Sequence, residues 1–298
     1  MNFLEYVRGK KILHVSHSKP DCDAVASVYW GIEFFGGDYY FHDVTSNKVL
    51  ALMEYLQLDP DKEPPPDTKD FDLVIVYDTE RRSNVDYIDL DVTPYVIFDH
   101  HPRETEFVRG AVYSYKISNS ATVVNLYNFS IENGIDLLTN EKVRFAFAVA
   151  LYSDTIALKT ARENELKLLG ELLGNRKVED ILDLFSRRPI RSAMFIKDLT
   201  SYREMIVNNY RIGVIETNGV EDEVHVFVDG LFYPFGLDLL IAVTPMGLKF
   251  HVKKVYVQKI YHKVLVKLEK EWGIRRDHGI WVGFYDVDRL IEELHKRM

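Results

Sequence analysis

The chain has 298 residues, of which 47% are hydrophobic and 28% charged, and it carries a net charge of −9. This length exceeds that of most single hydrophobic cores, so we expect two domains of unequal size in an ordinary globular protein. Its single cysteine excludes an internal disulfide framework and a zinc site built from several thiolates. The sequence contains no leader-like apolar segment and no run of eighteen uncharged apolar residues, so we expect a cytoplasmic protein without a membrane partner.

The charge is unevenly distributed along the chain. Residues 209–298 contain 13 basic and 13 acidic side chains, so the whole net charge belongs to residues 1–208. An acidic first domain repels a polyanion unless bound metal neutralises some of its carboxylates.

In the first half of the chain, short apolar runs alternate with helical patterns. The predicted strands are 11–16, 39–44, 71–77 and 95–98, and the predicted helices are 24–35 and 48–56. A charged, proline-rich stretch at 59–69 is predicted to be a surface loop. This alternation predicts a parallel sheet with helices on both faces.

From residue 121 to about 185 the periodicity is helical, and a different pattern begins after residue 208. The predicted strands there are 210–216, 223–228, 239–244 and 248–257, and the predicted helices are about 258–272 and 286–298. We therefore predict an α/β fold with a metal-binding domain at 1–190, a linker at 191–208 and a smaller mixed α/β domain at 209–298.

The first predicted strand runs directly into a polar segment that begins at His17, and a helix follows at once. In an open parallel sheet, ligands bind in the crevice beyond the carboxyl ends of the strands. Asp21 and Asp23 lie two residues apart in a non-helical segment held by Pro20, so their carboxylates can face two different ions. The alternative is that Asp23 only caps the following helix.

Three further elements of the predicted first domain also deliver acids or histidines. Asp78 directly follows the predicted strand 71–77, and Asp99, His100 and His101 directly follow the predicted strand 95–98. Asp154 follows an apolar segment at 145–152. Turns favour acids at such places, but a dinuclear site requires this convergence, because two nearby cations need a bridging carboxylate and several further ligands. Histidine and carboxylate ligands without cysteine point to two Mn²⁺ ions, with Mg²⁺ or Co²⁺ as substitutes.

On these motifs, the chain resembles the DHH phosphoesterases. The matching segments are His17-x-x-Pro20-Asp21-x-Asp23-Ala24, Asp78, Asp99-His100-His101 and Asp154-Thr155, together with Ser120-Ala121-Thr122 between the third and fourth motifs. The family includes RecJ-type exonucleases, enzymes that degrade very short oligonucleotides or cyclic dinucleotides, exopolyphosphatases and manganese-dependent pyrophosphatases. The resemblance implies a two-metal phosphoesterase whose active site lies in the cleft between the two domains.

The resemblance also implies a role for each motif residue. The implied ligands are His17 and Asp21 for the first metal, Asp23, His100 and Asp154 for the second, and Asp78 as the bridge between them. His101 would contact the scissile phosphate or protonate the leaving oxygen. Asp99 would orient a neighbouring imidazole.

Four further residues are candidates for substrate binding. Backbone N–H groups of the helix that begins near Ser120 can bind a phosphate oxygen, with an ordinary helix cap as the alternative. Many family members carry a glycine-rich segment that ends in histidine and cradles phosphate. Here only His278 and Gly279 match it, so we expect Arg275 and Arg276 to replace the glycine loop by charge and bidentate hydrogen bonding.

The second domain carries a strongly basic stretch. Residues 249–276 contain nine basic side chains and two acidic ones. The four lysines Lys259, Lys263, Lys267 and Lys270 recur at helical spacing and so share one face. This face is either an ordinary solvated surface or a basic wall that attracts a polyanion.

Three hypotheses for the function remain open. The leading one is a phosphodiesterase or exonuclease that acts on short single-stranded oligonucleotides or cyclic dinucleotides, which makes such a nucleic acid the expected partner. The rival within the same chemistry is a pyrophosphatase, exopolyphosphatase or nucleotide phosphatase. The third is an inactive regulatory or binding protein on the same fold, and the sequence leaves a homodimer open.

Overall fold

A computed structural model describes residues 2–60, 65–188, 192–218, 227–277 and 280–298. The chain forms two compact units, Met1–Arg188 and Pro189–Met298. Each unit has its own β-sheet and its own hydrophobic core. No helix in the described segments has the length and hydropathy that would be needed to cross a bilayer.

The first unit is built on a five-stranded sheet in which all neighbouring strands are parallel. The strands lie in the order β2-β1-β3-β4-β5. Their bounds are β1 (Ile12–Ser16), β2 (Asp38–Tyr40), β3 (Leu73–Tyr77), β4 (Tyr95–Asp99) and β5 (Tyr113–Lys116). Every residue of β1 and β3 is buried, because a central parallel strand is covered on both faces.

Helices and a short connecting segment cover the two faces of this sheet. The helices are α1 (Phe3–Val7), α2 (Cys22–Phe35), α3 (Asn47–Leu56), α4 (Glu106–Gly110), α5 (Thr122–Glu132), α6 (Glu141–Asp154), α7 (Glu163–Leu173) and α8 (Val178–Ser186). The larger core includes α2, α5 and α6 on one face. The opposite face is covered by α4 and by Val85, Ile88 and Leu90 of a connecting segment. The prediction of a parallel sheet covered on both faces is confirmed.

The second unit contains a six-stranded mixed sheet in the order β10-β11-β9-β8-β7-β6. The strands are β6 (Arg203–Val207), β7 (Tyr210–Glu216), β8 (Leu239–Thr244), β9 (Gly247–Val252), β10 (Arg275–Asp277) and β11 (Ile280–Val282). Its helices are α9 (Ser192–Leu199), a π-helical segment (Val257–Leu265) that continues into α10 (Val266–Glu271), and α11 (Val287–Arg297). Among the described strands of this sheet, only β7 and β8 pair in parallel, so the predicted smaller mixed α/β domain is confirmed.

Several predicted boundaries differ from the structure. The segment predicted as a linker, 191–208, contains α9 and β6, and β6 pairs antiparallel with β7. Charged side chains such as Arg203 are compatible with β6, because an edge strand has one edge open to solvent. Of the strand predicted at 223–228, residues 223–226 lie outside the described residues, and Phe227 is helical. Strand β9 ends at Val252, before a short 3₁₀ turn over Lys254–Tyr256.

His14, in the middle of β1, lies fully buried beside α2. Its Nδ1 lies 3.0 Å from Tyr77 Oη and its Nε2 2.8 Å from the Gly36 carbonyl oxygen. A neutral ring that donates from Nε2 and accepts at Nδ1 satisfies both partners. Gly31 is required here, because a Cβ at this position would lie 2.1 Å from Tyr77 Oη. Burial therefore lowers the pKa of His14 to about 4 from an ordinary value of 6.5.

This buried imidazole predicts a pH-dependent contribution to stability. Below pH 6.5 His14 becomes protonated in the unfolded chain, whereas in the folded chain it stays neutral down to about pH 4. The free energy of unfolding therefore decreases as pH falls through this range. Between pH 7.5 and 5 the loss is about 2 kcal/mol. Urea unfolding of wild type and His14→Asn at both pH values should show that the cost of the substitution shrinks by this amount at pH 5. An equal cost at both pH values would contradict a neutral His14.

Candidate metal centre

The carboxyl ends of β1, β3 and β4 meet at one edge of the first sheet. His17 follows β1, Asp78 follows β3, and His100 follows β4 directly. Two helices bring the other acids to this edge: α2 begins next to Asp21, and Asp154 is the last residue of α6. Because parallel strands all point the same way, residues far apart in sequence meet at one place.

These side chains form clusters whose potential ligand atoms lie within 4.8 Å of one another. The clusters are His17 with Asp21 and Asp78, Asp23 with His100 and Asp154, and Asp78 with His100 and His101. Asp78 lies between the first two clusters: its Oδ2 is 3.5 Å from His17 Nε2 and its Oδ1 is 3.4 Å from His100 Nε2. The six predicted ligands therefore come together, in the grouping that the family resemblance implied, while their roles as ligands stay predictions.

Two histidines are oriented by backbone carbonyl groups. His17 Nδ1 lies 2.9 Å from the Ser18 carbonyl oxygen, and His100 Nδ1 lies 3.0 Å from that of Asn119. Each ring can donate its Nδ1 proton to the carbonyl, which leaves Nε2 facing the carboxylates as a lone-pair donor. This is the usual way in which proteins select the tautomer of a histidine that binds metal.

Asp78 occupies a special backbone position at the end of β3. Its φ is +61°, in the left-handed region that aspartate and asparagine tolerate better than most residues. Its N–H donates to the Phe98 carbonyl oxygen at 2.9 Å, and the Thr122 hydroxyl donates to its Oδ1 at 2.8 Å. The carboxylate is thereby held from two sides, with its second oxygen directed toward His17.

Asp21 and Asp23 each hold the start of a helix, but of different helices. Asp21 Oδ1 accepts from the Ala24 N–H at 2.9 Å, so Asp21, not Asp23, caps α2. Asp23 accepts from the N–H groups of Thr122 (2.5 Å) and Val123 (3.0 Å) at the start of α5. The N–H groups that we considered for substrate phosphate are therefore engaged by Asp23. Among the described residues, Oγ of the predicted contact Ser120 has no hydrogen-bond partner, and its role in substrate binding stays a prediction.

The carboxylates of the cluster repel one another strongly. Desolvation, followed by the charge of Asp78, raises the pKa of Asp21 and of Asp23. Desolvation and the charges of Asp23, Asp21 and Asp78 raise the pKa of Asp154 well above its ordinary value. Burial also acts to raise the pKa of Asp78, but the hydrogen bond and charge of His17 hold it well below the usual range.

The donor set fits divalent cations. In the described part of the chain, the ion-pair partners of Asp78 and Asp154 are histidines. Burial opposes protonation of His17, yet the hydrogen bond to Asp78 and the charge of Asp21 raise its pKa to about 9, as expected for a ring among uncompensated carboxylates. Oxygen and imidazole donors without thiolate suit Mn²⁺, Mg²⁺ or Co²⁺. The residues present therefore fit two such ions.

Beside the clusters, His101 and Asp99 form a hydrogen-bonded pair. His101 Nδ1 lies 2.7 Å from Asp99 Oδ1, and the His101 side chain is 42% exposed. Asp99 is fully buried and also accepts from Lys116 at the end of β5. The sequence interpretation placed Asp99 beside an imidazole but missed Lys116. The only signal for Lys116 was its place at the end of the half-polar run 113–116, which is too short and mixed to predict a strand.

Asn125 is a further site residue that the sequence interpretation did not single out, and Thr122 was named only as part of a matching segment, without a role. Asn125 Nδ2 donates to the carbonyl oxygens of Asp99 and Ile117, each at 2.8 Å. Its Oδ1 accepts from Asn119 at 2.5 Å, and the carbonyl of Asn119 orients His100. The sequence offered little indication of Asn125, since a single polar residue on an apolar helix is commonly just part of the hydrophobic core.

The predicted substrate residues of the second unit are described only in part. Arg275 and Arg276 lie on β10, and the Arg276 guanidinium lies 4.8 Å over the Tyr261 ring and 3.8 Å from Glu269. His278 and Gly279 lie outside the described residues. The lysines at 259, 263, 267 and 270 are exposed, opposite a buried apolar stripe, so this face is solvated in the second unit by itself.

Comparison with known proteins agrees with this geometry. Residues 11–153 match the model of the DHH family, N-terminal domain. The matched range contains every predicted metal-site residue except Asp154, which immediately follows it. No curated protein matches the sequence significantly.

Solved structures share the fold at low sequence identity. An exopolyphosphatase-related protein from Bacteroides Fragilis aligns over 99% of this chain and 94% of its own, with 12% identity and a TM-score of 0.70. A candidate family II inorganic pyrophosphatase from Methanococcus jannaschii aligns over 96% of this chain and 99% of its own, with 15% identity and a TM-score of 0.52. These alignments support the α/β fold of the whole chain.

Proposed function

Because residues 11–153 belong to the DHH family, we propose that this chain is a two-metal phosphoesterase that hydrolyses phosphodiester bonds in short single-stranded oligonucleotides. The observation that carries the proposal is the pair of ligand clusters at the carboxyl edge of the first sheet, with Asp78 between them. Structural proteins and simple binding modules do not need six converging carboxylates and imidazoles whose mutual repulsion must be compensated. A two-metal hydrolase does.

We assign the ligands as the family resemblance implies. His17, Asp21 and Asp78 would hold one cation, and Asp23, His100 and Asp154 the other, with Asp78 shared. When bound, two such cations supply a water of lowered pKa and positive charge close to the phosphate oxygens. We infer Mn²⁺ as the first choice, from the mixture of imidazole and carboxylate donors.

His101 is suited to donate a proton. Its Nδ1 is engaged by Asp99, and its partly exposed ring leaves Nε2 for a substrate. The hydrogen bond to Asp99, against the effect of burial, raises the pKa of His101, which favours the protonated ring that a proton donor needs. In the proposed reaction water releases one proton to solvent and forms a new P–O bond, the P–O bond to the leaving oxygen breaks, and that oxygen receives the proton from Nε2.

The choice of an oligonucleotide rests on the second unit. Its exposed lysines at 259, 263, 267 and 270 lie on one helical surface, which we call the basic face. Lys259 Nζ also lies 5.0 Å over the Tyr210 ring. A row of exposed ammonium groups suits a chain of several phosphates better than a single one, because each phosphate that it contacts adds to the binding.

A panel of substrates tests this proposal. Purified protein with MnCl₂ is incubated with oligonucleotides of two to five nucleotides, a cyclic dinucleotide, pyrophosphate, polyphosphate and a nucleoside monophosphate, and the products are separated by chromatography. We expect mononucleotides from the oligonucleotides, with rates that fall as salt rises because the basic face is screened.

Two outcomes would overturn the proposal in different ways. Phosphate release from pyrophosphate or polyphosphate alone would keep the two-metal chemistry and replace the substrate class. If no substrate is hydrolysed although manganese binds, the chain would be a binding or regulatory protein on this fold. The variant Asp78→Asn, tested in parallel, controls for a contaminating hydrolase.

A further inference from the structure

Asp99 is a carboxylate with no access to solvent, and two groups compensate it. One oxygen accepts from His101 Nδ1 at 2.7 Å, and the other accepts from Lys116 Nζ. The Lys116 side chain is itself only 9% exposed. Lys116 therefore supplies the opposite charge that a buried carboxylate needs, because an unpaired buried charge is costly.

The pairing of the strands brings this lysine to its place. In the parallel pair β4 and β5, Asp99 and Lys116 are register partners at the last position of each strand. Lys116 therefore reaches the same carboxyl edge that carries the metal-site residues. Its Nζ also lies 4.0 Å from Glu80 Oε2.

Lys116 contacts His101 as well as Asp99. Its Nζ donates to the backbone carbonyl oxygen of His101, the same residue whose ring is held by Asp99. One ammonium group thus restrains both the main chain of His101 and the carboxylate that orients its side chain. Glu80, the neighbour of this ammonium, in turn accepts from the Arg103 N–H at 2.9 Å, so the segment after His101 is also tied down.

We propose that Lys116 is a positioning residue for proton donation by His101. The inference rests on the proposed phosphoesterase function, and it deepens that function by adding a residue that touches neither metal ligand nor substrate. Lys116 holds the Asp99 carboxylate in place, and Asp99 directs Nε2 of His101 toward the leaving oxygen. Lys116 donates to Asp99 and to the main chain of His101, neither of which we assign as a metal ligand, so its loss should leave metal binding intact.

The test compares Lys116→Met with wild type on two substrates that differ only in the leaving group. One is a thymidine dinucleotide, whose leaving alkoxide needs a proton. The other is the p-nitrophenyl ester of thymidine 5′-monophosphate, whose nitrophenolate is stable without one. We expect kcat for the dinucleotide to fall about 10- to 100-fold at unchanged KM, and kcat for the nitrophenyl ester to change little.

The ratio of the two kcat values is the decisive readout. It does not depend on how much of the variant is folded, since both rates come from the same preparation. A second variant, Lys116→Gln, keeps a donor for Asp99 without the charge and should lie between wild type and Lys116→Met. Lys142→Met is the matched control: this partly buried lysine of the first unit donates to Gln57 at 3.1 Å and does not contact the site.

Each outcome decides the inference. An unchanged ratio, whether both rates fall equally or neither falls, would overturn the positioning role. So would a loss of manganese affinity large enough to explain the loss of rate. A wild type that hydrolyses neither substrate would overturn the proposed function and this inference with it, whereas wild-type turnover with an unchanged ratio overturns the inference alone.

Discussion

Asp78→Asn should lower kcat/KM for manganese-dependent hydrolysis of a dinucleotide on the order of 1000-fold or more. Among the described carboxylates, Asp78 is the one that lies against both His17 and His100. An amide cannot supply the negative charge that two neighbouring cations share. Asparagine is the informative replacement because, like aspartate, it accepts the left-handed backbone at φ +61°, whereas alanine would add strain.

Steady-state kinetics and manganese binding by calorimetry measure this effect together. We expect wild type to bind two manganese ions per chain and the variant to lose at least one of them. Asp136→Asn removes an exposed aspartate of the same unit and should match wild type in both assays. If Asp78→Asn retained wild-type turnover and stoichiometry, Asp78 could not be the bridging ligand.

Manganese should raise the melting temperature of the first unit by about 8–16 °C relative to protein in EDTA. Ions present at about 1000 times Kd stabilise the folded state by about 4 kcal/mol, and in a domain of this size each kcal/mol is worth about 2–4 °C. The physical reason is the cluster of mutually repelling carboxylates, which raises the pKa of Asp21, Asp23 and Asp154 when no cation compensates them. Calorimetric scans at pH 8 would measure the shift.

Asp154→Asn should change the melting temperature in EDTA and the manganese-induced rise in opposite directions. The substitution removes one repelling charge, so the melting temperature in EDTA should rise. It also removes a ligand, so the additional rise with manganese should shrink. A manganese shift as large as that of wild type would place the stabilising ion elsewhere in the molecule.

The central strands of the first sheet were predictable because their apolar runs are local and nearly continuous. Strands β1 and β3 lie within the predicted ranges, β4 extends one residue beyond its own, and the residues that follow the three strands are those predicted to converge. The convergence of these residues could be predicted from the parallel topology, since it places the carboxyl ends of all strands at one edge of the sheet. The edge strands were harder to predict: β5 is short and half polar, and β6 lies in a segment rich in arginine.

Long-range contacts were not predictable from local pattern. Asp23 caps α5 across about a hundred residues of chain, and no local pattern distinguishes that cap from a cap on its own helix. The contact between Lys116 and Asp99 likewise depends on the register between β4 and β5. The predicted position of the site in a cleft between the domains, the homodimer and the cytoplasmic location stay predictions.

The sequence by itself therefore determined the α/β class, the mixed second sheet and which aspartates and histidines come together, because residue type and short-range periodicity carry that information. Only the tertiary structure decided what each of those side chains touches. It placed Asp78 between two clusters, turned Asp23 toward α5 and brought Lys116 to Asp99. The physical reason is that hydrogen bonds and strand register are set by packing between segments distant in the chain, where a shift of one residue changes every partner.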